Sequence, residues 1–250
     1  MRICTLASGS SGNSLYIESS HSKILVDAGI GPRVLKKRLE SIGVKIDEID
    51  AVIVTHEHID HTRSIAKLPV PVYVASKTVP VWKNKVEDLN QFENHKQFTI
   101  KDLFITPFSV PHDAIDPVGF TIEFNSTKIG IVTDIGSVTG LVVERLKKSN
   151  ILILESNHDM NLLYYSSYPW ELKQRIKGRL GHLSNSQSSS LLNSIYHNEL
   201  CHVVLAHLSE VNNCPEVALN EAAKIVDRKD NDYTKIHVAP RKSVGEVINI

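Results

Sequence analysis

Several of the most apolar segments of this chain end on a side chain that can bind a metal ion. These segments are Leu25-Val26-Asp27, Ile53-Val54-Thr55-His56, Ser109-Val110-Pro111-His112, Val132-Thr133-Asp134 and Leu205-Ala206-His207. In α/β sheets the loops that follow the strands carry functional side chains, while the strands themselves stay rigid. We therefore expect these strand ends to converge on one edge of the fold and to build a pocket there.

Short apolar runs rich in β-branched residues alternate with helix-like segments along the chain. The predicted strands are Ile3–Leu6, Ser14–Glu18, Lys23–Asp27, Ala51–Thr55, Val70–Val74, Phe104–Val110, Gly119–Phe124, Lys128–Thr133, Ile151–Glu155 and His202–Ala206. The predicted helices are Pro32–Ser41, Val138–Lys148, Pro169–Lys177, Ser184–Tyr196 and Pro215–Asp227. This alternation predicts an α/β fold with mixed sheets and one domain over residues 1–250, in two similar halves of about 1–125 and 126–250.

Composition excludes several classes of protein. The 28 Lys and Arg residues balance 28 Asp and Glu residues, so the net charge does not indicate the broad basic face that many nucleic-acid-binding proteins carry. No segment approaches the roughly 20 apolar residues that a membrane span needs, and the N-terminal apolar run is too short for a signal peptide. Cys4, Cys201 and Cys214 are scattered without metal-ligand spacing, which predicts free thiols and a cytoplasmic location.

The segment His56-Glu57-His58-Ile59-Asp60-His61 is the densest cluster of metal-binding side chains in the sequence. His56 and His58 are two residues apart, so they point the same way in an extended turn. Asp60 and His61 follow where a helix would begin and are aimed back towards the same space. Imidazole and carboxylate are ligands of zinc and related metals, so an HxHxDH motif favours a metal site over a solvated polar loop.

Further ligands are expected from distant strand ends, because one motif cannot fill two metal sites. His112 and His207 each follow an apolar strand, and the carboxylate of Asp134 can bridge two cations. The predicted ligands of one ion are His56, His58, His112 and Asp134. Those of the other are Asp60, His61, His207 and Asp134. A hydroxide shared by ions ~3.5–4 Å apart is the nucleophile expected of such a site. Asp27 either orients one of these ligands or forms a strand-end turn with Gly29.

The order of these residues resembles the pattern of the metallo-β-lactamase fold superfamily. That pattern is a strand-end Asp, then HxHxDH, then single His, Asp and His residues, and every member is present here from Asp27 to His207. The resemblance spans nearly the whole chain. It implies a four-layer αββα sandwich, with a dinuclear metal site at the edge of the sandwich.

Two other motifs point towards a branch of that superfamily. Glu155 ends an apolar strand and His182 stands in Gly181-His182-Leu183-Ser184, an arrangement that resembles the tRNA 3′-processing endonucleases. In those enzymes the Glu and His are thought to form a relay that protonates the leaving oxygen. The alternatives are a residue near a helix start for His182 and a solvated acid for Glu155. Together with Leu6–Ser14, Val54–His58, Ser109–Ala114 and Glu155–Asp159, the motifs resemble the YycJ/WalJ-like branch, whose members resemble 5′→3′ DNA exonucleases.

For several other residues the sequence allows two interpretations. The loop from Ser8 to Ser14, with Ser10, Gly12 and Asn13, either binds a phosphate or forms a tight turn. His158 either lines the pocket or lies in a surface loop. The basic series Lys173, Arg175, Lys177 and Arg179 reads mainly as a solvated surface, with one or two residues that touch a nucleic-acid backbone. The aromatic residues Tyr164, Tyr165, Tyr168 and Trp170 are expected to be buried against the core, the alternative being stacking on a single strand.

We therefore predict a metal-dependent phosphodiesterase that acts on nucleic acid, on single-stranded DNA or the end of a duplex. Its predicted cofactors are two divalent ions, Zn²⁺ or Mn²⁺, with Fe²⁺ also compatible with the ligands. The predicted catalytic residues are His182, Glu155, Asp60 and Asp134. One alternative is a thioesterase or lactonase with the same metals, which needs no Glu155–His182 pair. Another is a regulatory protein that keeps the metal site without catalysis.

Overall fold

The computed structural model describes residues 1–227 and 233–250 of the chain. Within these residues the strands form two seven-stranded sheets. The first sheet contains β1 (Arg2–Ala7), β2 (Ser14–Glu18), β3 (Lys23–Val26), β4 (Ala51–Ile53), β5 (Val72–Ala75) and β6 (Leu89–Phe92). The second contains β7 (Phe98–Ile100), β8 (Leu103–Ser109), β9 (Val118–Phe124), β10 (Thr127–Val132), β11 (Ile151–Glu155), β12 (His202–Ala206) and β13 (Lys235–Val238). The last strand, β14 (Val247–Asn249), returns to the first sheet beside β1.

The described helices are connected to the sheets by short loops. They are α1 (Pro32–Ser41), α2 (Ile59–Thr62), α3 (Val79–Trp82), α4 (Gly140–Leu146), α5 (Met160–Tyr165), α6 (Trp170–Lys177), α7 (Asn185–Ile195) and α8 (Pro215–Asp227). Pro32 occupies the first turn of α1, where the missing N–H of proline costs nothing. Ser184 and Gln187 form a capping box that begins α7 directly after the predicted site residue His182. None of the described helices combines the length and the apolar character needed to cross a membrane.

Alternation of side chains along each strand explains the layers. In β11, Ile151 and Ile153 are buried between the two sheets, whereas Leu152 and Leu154 pack against the helices outside the second sheet. Successive side chains of a strand point to opposite faces, so a strand covered on both faces must be apolar throughout. The first sheet is covered on its outer face by α1, and the second by α4, α7 and α8. The predicted αββα sandwich is therefore confirmed.

Three strand ends of the predicted site leave the sheets in an uncommon backbone conformation. Asp27 follows β3 with a φ of 63°, and His207 follows β12 with a φ of 57°. Asp134, two residues after β10, has a φ of 54°. Left-handed backbone is uncommon for residues other than glycine, and such strain clusters at functional sites. The turn reverses the chain at the strand end, which keeps each of these side chains at the shared edge of the sheets.

All ten predicted strands and five predicted helices overlap an element of the structure. The sequence pattern misses the short strands β6, β7, β13 and β14, and the short helices α2, α3 and α5. The two sheets divide between β6 and β7, so β7, β8 and β9 belong to the second sheet although they precede residue 125. The organisation of the whole chain as one domain stays a prediction.

A glycine fixes the packing of the loop after β3 on the HxHxDH segment. A Cβ at Gly29 would lie 1.6 Å from the backbone oxygen of Asp60 and 2.8 Å from the backbone nitrogen of Asn13. Gly29 also donates its N–H to the carbonyl of Asn13 at 2.8 Å. The backbone of Asp60 can therefore hold its place only while residue 29 has no side chain.

We expect Gly29→Ala to lower the free energy of unfolding by about 1–3 kcal/mol or more, because backbone atoms must move to admit the methyl group. Gly140→Ala is the matched control, since no atom lies within 4 Å of a Cβ at that first position of α4. Denaturant unfolding of both variants measures the difference. Equal stability of the two variants would contradict the close packing at Gly29.

Candidate metal centre

The strand ends of both sheets meet around one open cavity of about 250 Å³. Its lining contains five of the seven metal ligands that the sequence predicts. The predicted residues that line it are Ser10, His58, Asp60, His112, Asp134, Arg175, His182 and His207. His56 and His61 lie just behind this surface, with His56 in ring contact with His58 and His61 at 4.6 and 4.1 Å between centroids. The structure thus brings together all seven predicted metal ligands.

Among the described residues, four overlapping groups of side chains have donor atoms within 4.8 Å of one another, and two of these groups share no residue and contain only predicted ligands. One group is His56, His58 and His112, and the other is Asp60, His61 and His207. Asp134 lies between them: its carboxylate is 3.0 Å from Nε2 of His61, 3.5 Å from Nε2 of His207 and 3.9 Å from Nε2 of His112. A carboxylate in this position can serve both groups.

Four of the histidines are oriented by a contact at Nδ1. His61 Nδ1 lies 2.7 Å from Asp27 Oδ2, and His207 Nδ1 lies 3.1 Å from Glu155 Oε1. His112 Nδ1 is 3.2 Å from the carbonyl of Gly181, and His56 Nδ1 is 3.1 Å from the hydroxyl of Thr55. An acceptor at Nδ1 fixes the proton there and leaves Nε2 with a free lone pair, as in most histidine ligands of metals.

The residues present fit divalent cations. Nε2 of His56, His112 and His207 and Oδ2 of Asp134 are buried and have no hydrogen-bond partner among the described residues. Leaving a buried polar atom unpaired costs about 1–3 kcal/mol, so four such atoms around one centre call for a ligand that they can bind together. Imidazole nitrogen and carboxylate oxygen are donors that Zn²⁺, Mn²⁺ and Fe²⁺ accept.

The electrostatics of the two groups differ. Burial, with a smaller effect of neighbouring His61, lowers the pKa of His56 well below its usual value, and burial also lowers the pKa of His112. Burial opposes protonation of His61 as well, but Asp27 and Asp134 outweigh it and raise the pKa of His61 well above its usual value. A nearby carboxylate favours positive charge. His56 and His112 are therefore neutral and ready to bind, while His61 is set among acids that stabilise a cation.

Asp27 holds the HxHxDH segment in place. Its Oδ1 accepts the N–H of Thr55 at 2.8 Å, and its Oδ2 accepts the hydroxyl of Thr55 at 2.8 Å and Nδ1–H of His61 at 2.7 Å. The carboxylate is 3% exposed and points to the side of His61 away from Nε2. Of the two interpretations of Asp27, this geometry favours the orienting role.

Glu155 is fully buried and contacts two histidines at once. Its Oε1 lies 2.7 Å from Nδ1 of His182 and 3.1 Å from Nδ1 of His207. Its Oε2 accepts the backbone N–H groups of Ile135 and Leu183, both at 3.0 Å. Burial alone would raise the pKa of Glu155, but His182 and the hydrogen bonds from both histidines lower it to about 2. Glu155 is therefore an ionised acceptor, and the surface-acid interpretation is wrong.

The candidate substrate residues of the glycine- and serine-rich loop lie in different environments. Ser10 lines the cavity. Asn13 is buried, with Nδ2 2.9 Å from Nε2 of His61 and Oδ1 accepting the N–H of Gly9 at 2.7 Å. Gly12 packs against Ile30 and does not line the cavity. His158 is fully buried and also lies outside the lining, so its surface-loop interpretation is wrong.

The aromatic cluster is not buried, which corrects the expectation from the sequence. Tyr164, Tyr165 and Trp170 are 65%, 81% and 62% exposed, and Tyr168 is half-buried. They belong to α5, α6 and the loop between them, where Leu163 is the one fully buried side chain of the two helices. The basic series is mostly exposed as expected, and Arg175 is its member that lines the cavity.

Sequence reasoning missed several residues that complete the centre. Thr55 bridges Asp27 and two histidines through its hydroxyl, and Asn157 donates to the carbonyl of His207 at 2.9 Å. Ser8 accepts the N–H of His207 at 2.7 Å. Each stands beside a predicted site residue or a loop glycine, but a lone Thr, Asn or Ser carries no spacing signal. Their roles come from contacts between distant segments.

The chain is similar in sequence and in fold to several known proteins. Residues 22–207 match the family model described as a beta-lactamase superfamily domain. The chain is similar to exodeoxyribonuclease YycJ of Bacillus anthracis, with 31% identity over 92% of this chain and 90% of the relative. It is 36% identical to exodeoxyribonuclease WalJ of Streptococcus pneumoniae over 85% and 83% of the two chains. The crystal structure of the metallo-beta-lactamase fold protein YhfI from Bacillus subtilis superposes with a TM-score of 0.75, at 17% identity over 99% and 98% of the chains.

We expect Asp27→Asn to weaken metal binding by about 10- to 100-fold, because the amide cannot accept all three hydrogen bonds that orient His61 and Thr55. Asp159→Asn is the matched control. Asp159 caps α5 by accepting two backbone N–H groups, and asparagine caps a helix as well as aspartate does. Calorimetric titration of chelator-treated protein with Zn²⁺ or Mn²⁺ gives both affinities. An unchanged affinity in Asp27→Asn would show that Asp27 does not position His61 for a cation.

Proposed function

The chain belongs to the beta-lactamase superfamily, within the branch of YycJ and WalJ, and we propose that it is a metal-dependent exodeoxyribonuclease that hydrolyses phosphodiester bonds. Single-stranded DNA, or the end of a duplex, is the proposed substrate. One support is that the relatives YycJ and WalJ are named exodeoxyribonucleases and match most of this chain. The support from the chain itself is the cavity described above.

One observation carries the proposal: a buried Glu–His pair opens into the same cavity as the candidate metal ligands. Nδ1 of His182 is 2.7 Å from Glu155, so Nε2 is the ring nitrogen left for the cavity that His182 lines. Phosphodiester cleavage expels an alkoxide, which is a poor leaving group unless an acid protonates it. A histidine beside an ionised acid can supply that proton.

Each of the two groups of ligands would hold one of the proposed cations. His56, His58 and His112 would hold one ion, Asp60, His61 and His207 the other, and Asp134 would contact both. Divalent ions bound there supply positive charge to the phosphate and lower the pKa of water. The choice between Zn²⁺, Mn²⁺ and Fe²⁺ depends on availability as well as on these ligands, and Zn²⁺ or Mn²⁺ is proposed.

The residues of the chain then have separate tasks in the reaction. Asp60 and Asp134 face the cavity and orient the attacking water. His182 donates a proton from Nε2 to the departing oxygen. Glu155 accepts Nδ1–H of His182 and stabilises the imidazolium before donation, while the N–H groups of Ile135 and Leu183 keep the carboxylate in place.

The alternative functions fit the cavity less well. A thioesterase or lactonase expels a leaving group that needs less help from an acid, so it would leave the Glu155–His182 pair without a task. A regulatory protein without catalysis would have no use for an acid beside a complete set of ligands. Parallel assays with single-stranded DNA and a panel of thioesters and lactones distinguish these functions.

We expect His182→Ala to bind metal normally and to lose about 10²- to 10⁴-fold in kcat on DNA, because the general acid is removed while the ligands stay. His21→Ala is the control, since His21 is exposed and lies outside the cavity lining. Metal content and single-turnover rates are measured on the same preparations. A rate of DNA cleavage equal to that of the unchanged protein would remove His182 from the mechanism.

We expect the protein to bind about two divalent ions per chain after chelator treatment and reloading. His56→Ala and His207→Ala each remove a ligand from a different group, so each should keep about one tightly bound ion. Asp134→Ala should weaken both sites, because its carboxylate contacts both groups. Mass-spectrometric metal analysis after gel filtration gives the counts. Two tight ions in all three variants would contradict the ligand assignment.

A further inference from the structure

Part of the cavity lining is aliphatic, in contrast to the histidines and acids described above. It is formed by Leu172 and Ile176 of α6 and by Leu180 in the loop that follows. Leu172 and Ile176 are four residues apart and so lie on one face of the helix. Leu180 is 54% exposed. The cavity therefore has a polar side that can hold a phosphate and an aliphatic side that can cover an apolar group.

A single arginine also belongs to the cavity lining. Arg175 lines the cavity, and its Nη2 lies 3.2 Å from Oδ2 of Asp113, the residue that follows the candidate ligand His112. The two side chains are 65% and 59% exposed. An exposed ion pair of this kind contributes little, so a phosphate can replace Asp113 as the partner of Arg175.

The helix that carries Arg175 has an unusual amount of free surface. No residue of α6 is buried, although its neighbours α7 and α8 each bury several side chains. Lys173 donates to the carbonyls of Tyr164 and Ser166 at 2.8 and 2.7 Å, which ties α6 to the end of α5. At its other end the carbonyl of Ile176 accepts the N–H of His182 at 2.8 Å. The helix is therefore held at both ends, while Leu172, Arg175 and Ile176 line the cavity.

We propose that this face of α6 is a nucleotide subsite, in which Arg175 binds the phosphate next to the scissile one and the aliphatic wall covers the adjoining base or sugar. The inference rests on the proposed function and names the part of a DNA strand that the site holds. Arginine presents a planar fork that matches two phosphate oxygens, which suits recognition of a second phosphate. The aliphatic side chains offer no hydrogen bonds to base edges, so the subsite holds a nucleotide without regard to sequence.

Position argues for the neighbouring phosphate and against the scissile one. In the proposed reaction the scissile phosphate lies beside His182 and the buried, unpaired ligand atoms of His112, Asp134 and His207, all of which line the cavity. Arg175 is 65% exposed and pairs with Asp113, and among the described residues it has no hydrogen bond or ion pair with a candidate ligand. The proposed nucleotide then lies between His182 and Arg175, with its base or sugar against Leu172, Ile176 and Leu180, which line the same cavity.

A neutral linkage in the substrate tests this assignment. Single-stranded oligodeoxynucleotides are prepared with a methylphosphonate at the second linkage from either end, so that the linkage next to the cleaved one has no charge. In the unchanged protein we expect the methylphosphonate near the degraded end to lower kcat/KM by about 10- to 100-fold, mostly through KM, as for loss of a charged hydrogen bond. In Arg175→Ala the same replacement should cost less than about twofold, because the partner of that charge is already missing.

The controls separate the subsite from general effects of charge. Lys177→Ala removes one unit of charge from the same helix, but Lys177 lies over the ring of Trp170, 5.3 Å from its centroid, and outside the cavity lining. We expect it to keep the full methylphosphonate effect. Arg175→Lys should retain part of the binding, since it keeps the charge and loses the fork. Bis(p-nitrophenyl) phosphate has no second phosphate. The fall in kcat/KM caused by Arg175→Ala should therefore be at least about tenfold smaller with this substrate than with the oligonucleotide.

The outcomes distinguish the two proposals. An equal methylphosphonate effect in the unchanged protein and in Arg175→Ala overturns the subsite and leaves the nuclease function standing. Absence of that effect in the unchanged protein, with DNA still cleaved, does the same. If the metal-loaded protein cleaves neither DNA nor bis(p-nitrophenyl) phosphate, the proposed function fails and the subsite fails with it.

Discussion

Burial of many polar side chains at one edge of two sheets is the constraint on which this centre depends. Every buried donor or acceptor needs a partner, and the Nδ1 atoms of four histidines find theirs in Asp27, Glu155, Thr55 and a backbone carbonyl. Those contacts leave the Nε2 atoms of three of them unpaired around Asp134. The same contacts that satisfy one side of each ring therefore create the demand for cations on the other side.

Glu155 links two tasks that the sequence treats as separate. One oxygen contacts both a proposed metal ligand, His207, and the proposed acid, His182, while the other oxygen is held by two backbone N–H groups. Removal of this carboxylate would leave two rings and two N–H groups without a buried partner. Substitutions at Glu155 therefore disturb the position of both histidines, whereas substitutions at His182 isolate the proton transfer. His182 is for this reason the better probe of mechanism.

The sequence predicts the long elements and the ligand set, and it fails where contacts between distant segments decide. Apolar strands such as Ile151–Glu155 stand out as short continuous apolar runs. The HxHxDH motif contains enough metal-binding side chains to predict a metal site by itself. The strands β6, β7 and β13 are three or four residues long and too mixed in composition to stand out. Exposure of Tyr164, Tyr165 and Trp170 contradicts the usual burial of aromatic residues. The left-handed backbone at Asp27, Asp134 and His207 could not be predicted either, because none of these residues is a glycine, the usual signal for a positive φ.

The candidate metal ligands and the residues proposed to contact the substrate lie on parts of the molecule that are packed to different degrees. The candidate ligands leave strands of a sandwich whose side chains are packed on both faces, so their relative positions are fixed by the whole core. Arg175 and the aliphatic wall lie on a short helix without a buried residue, held to its neighbour by Lys173. The carbonyl of Ile176 accepts the N–H of His182, so the backbone of α6 is tied to the site. Its exposed side chains, such as Arg175, can change without removing a contact of a metal ligand. A fold that hosts many hydrolytic reactions at one edge gains its choice of substrate from segments of this kind, which the core does not constrain.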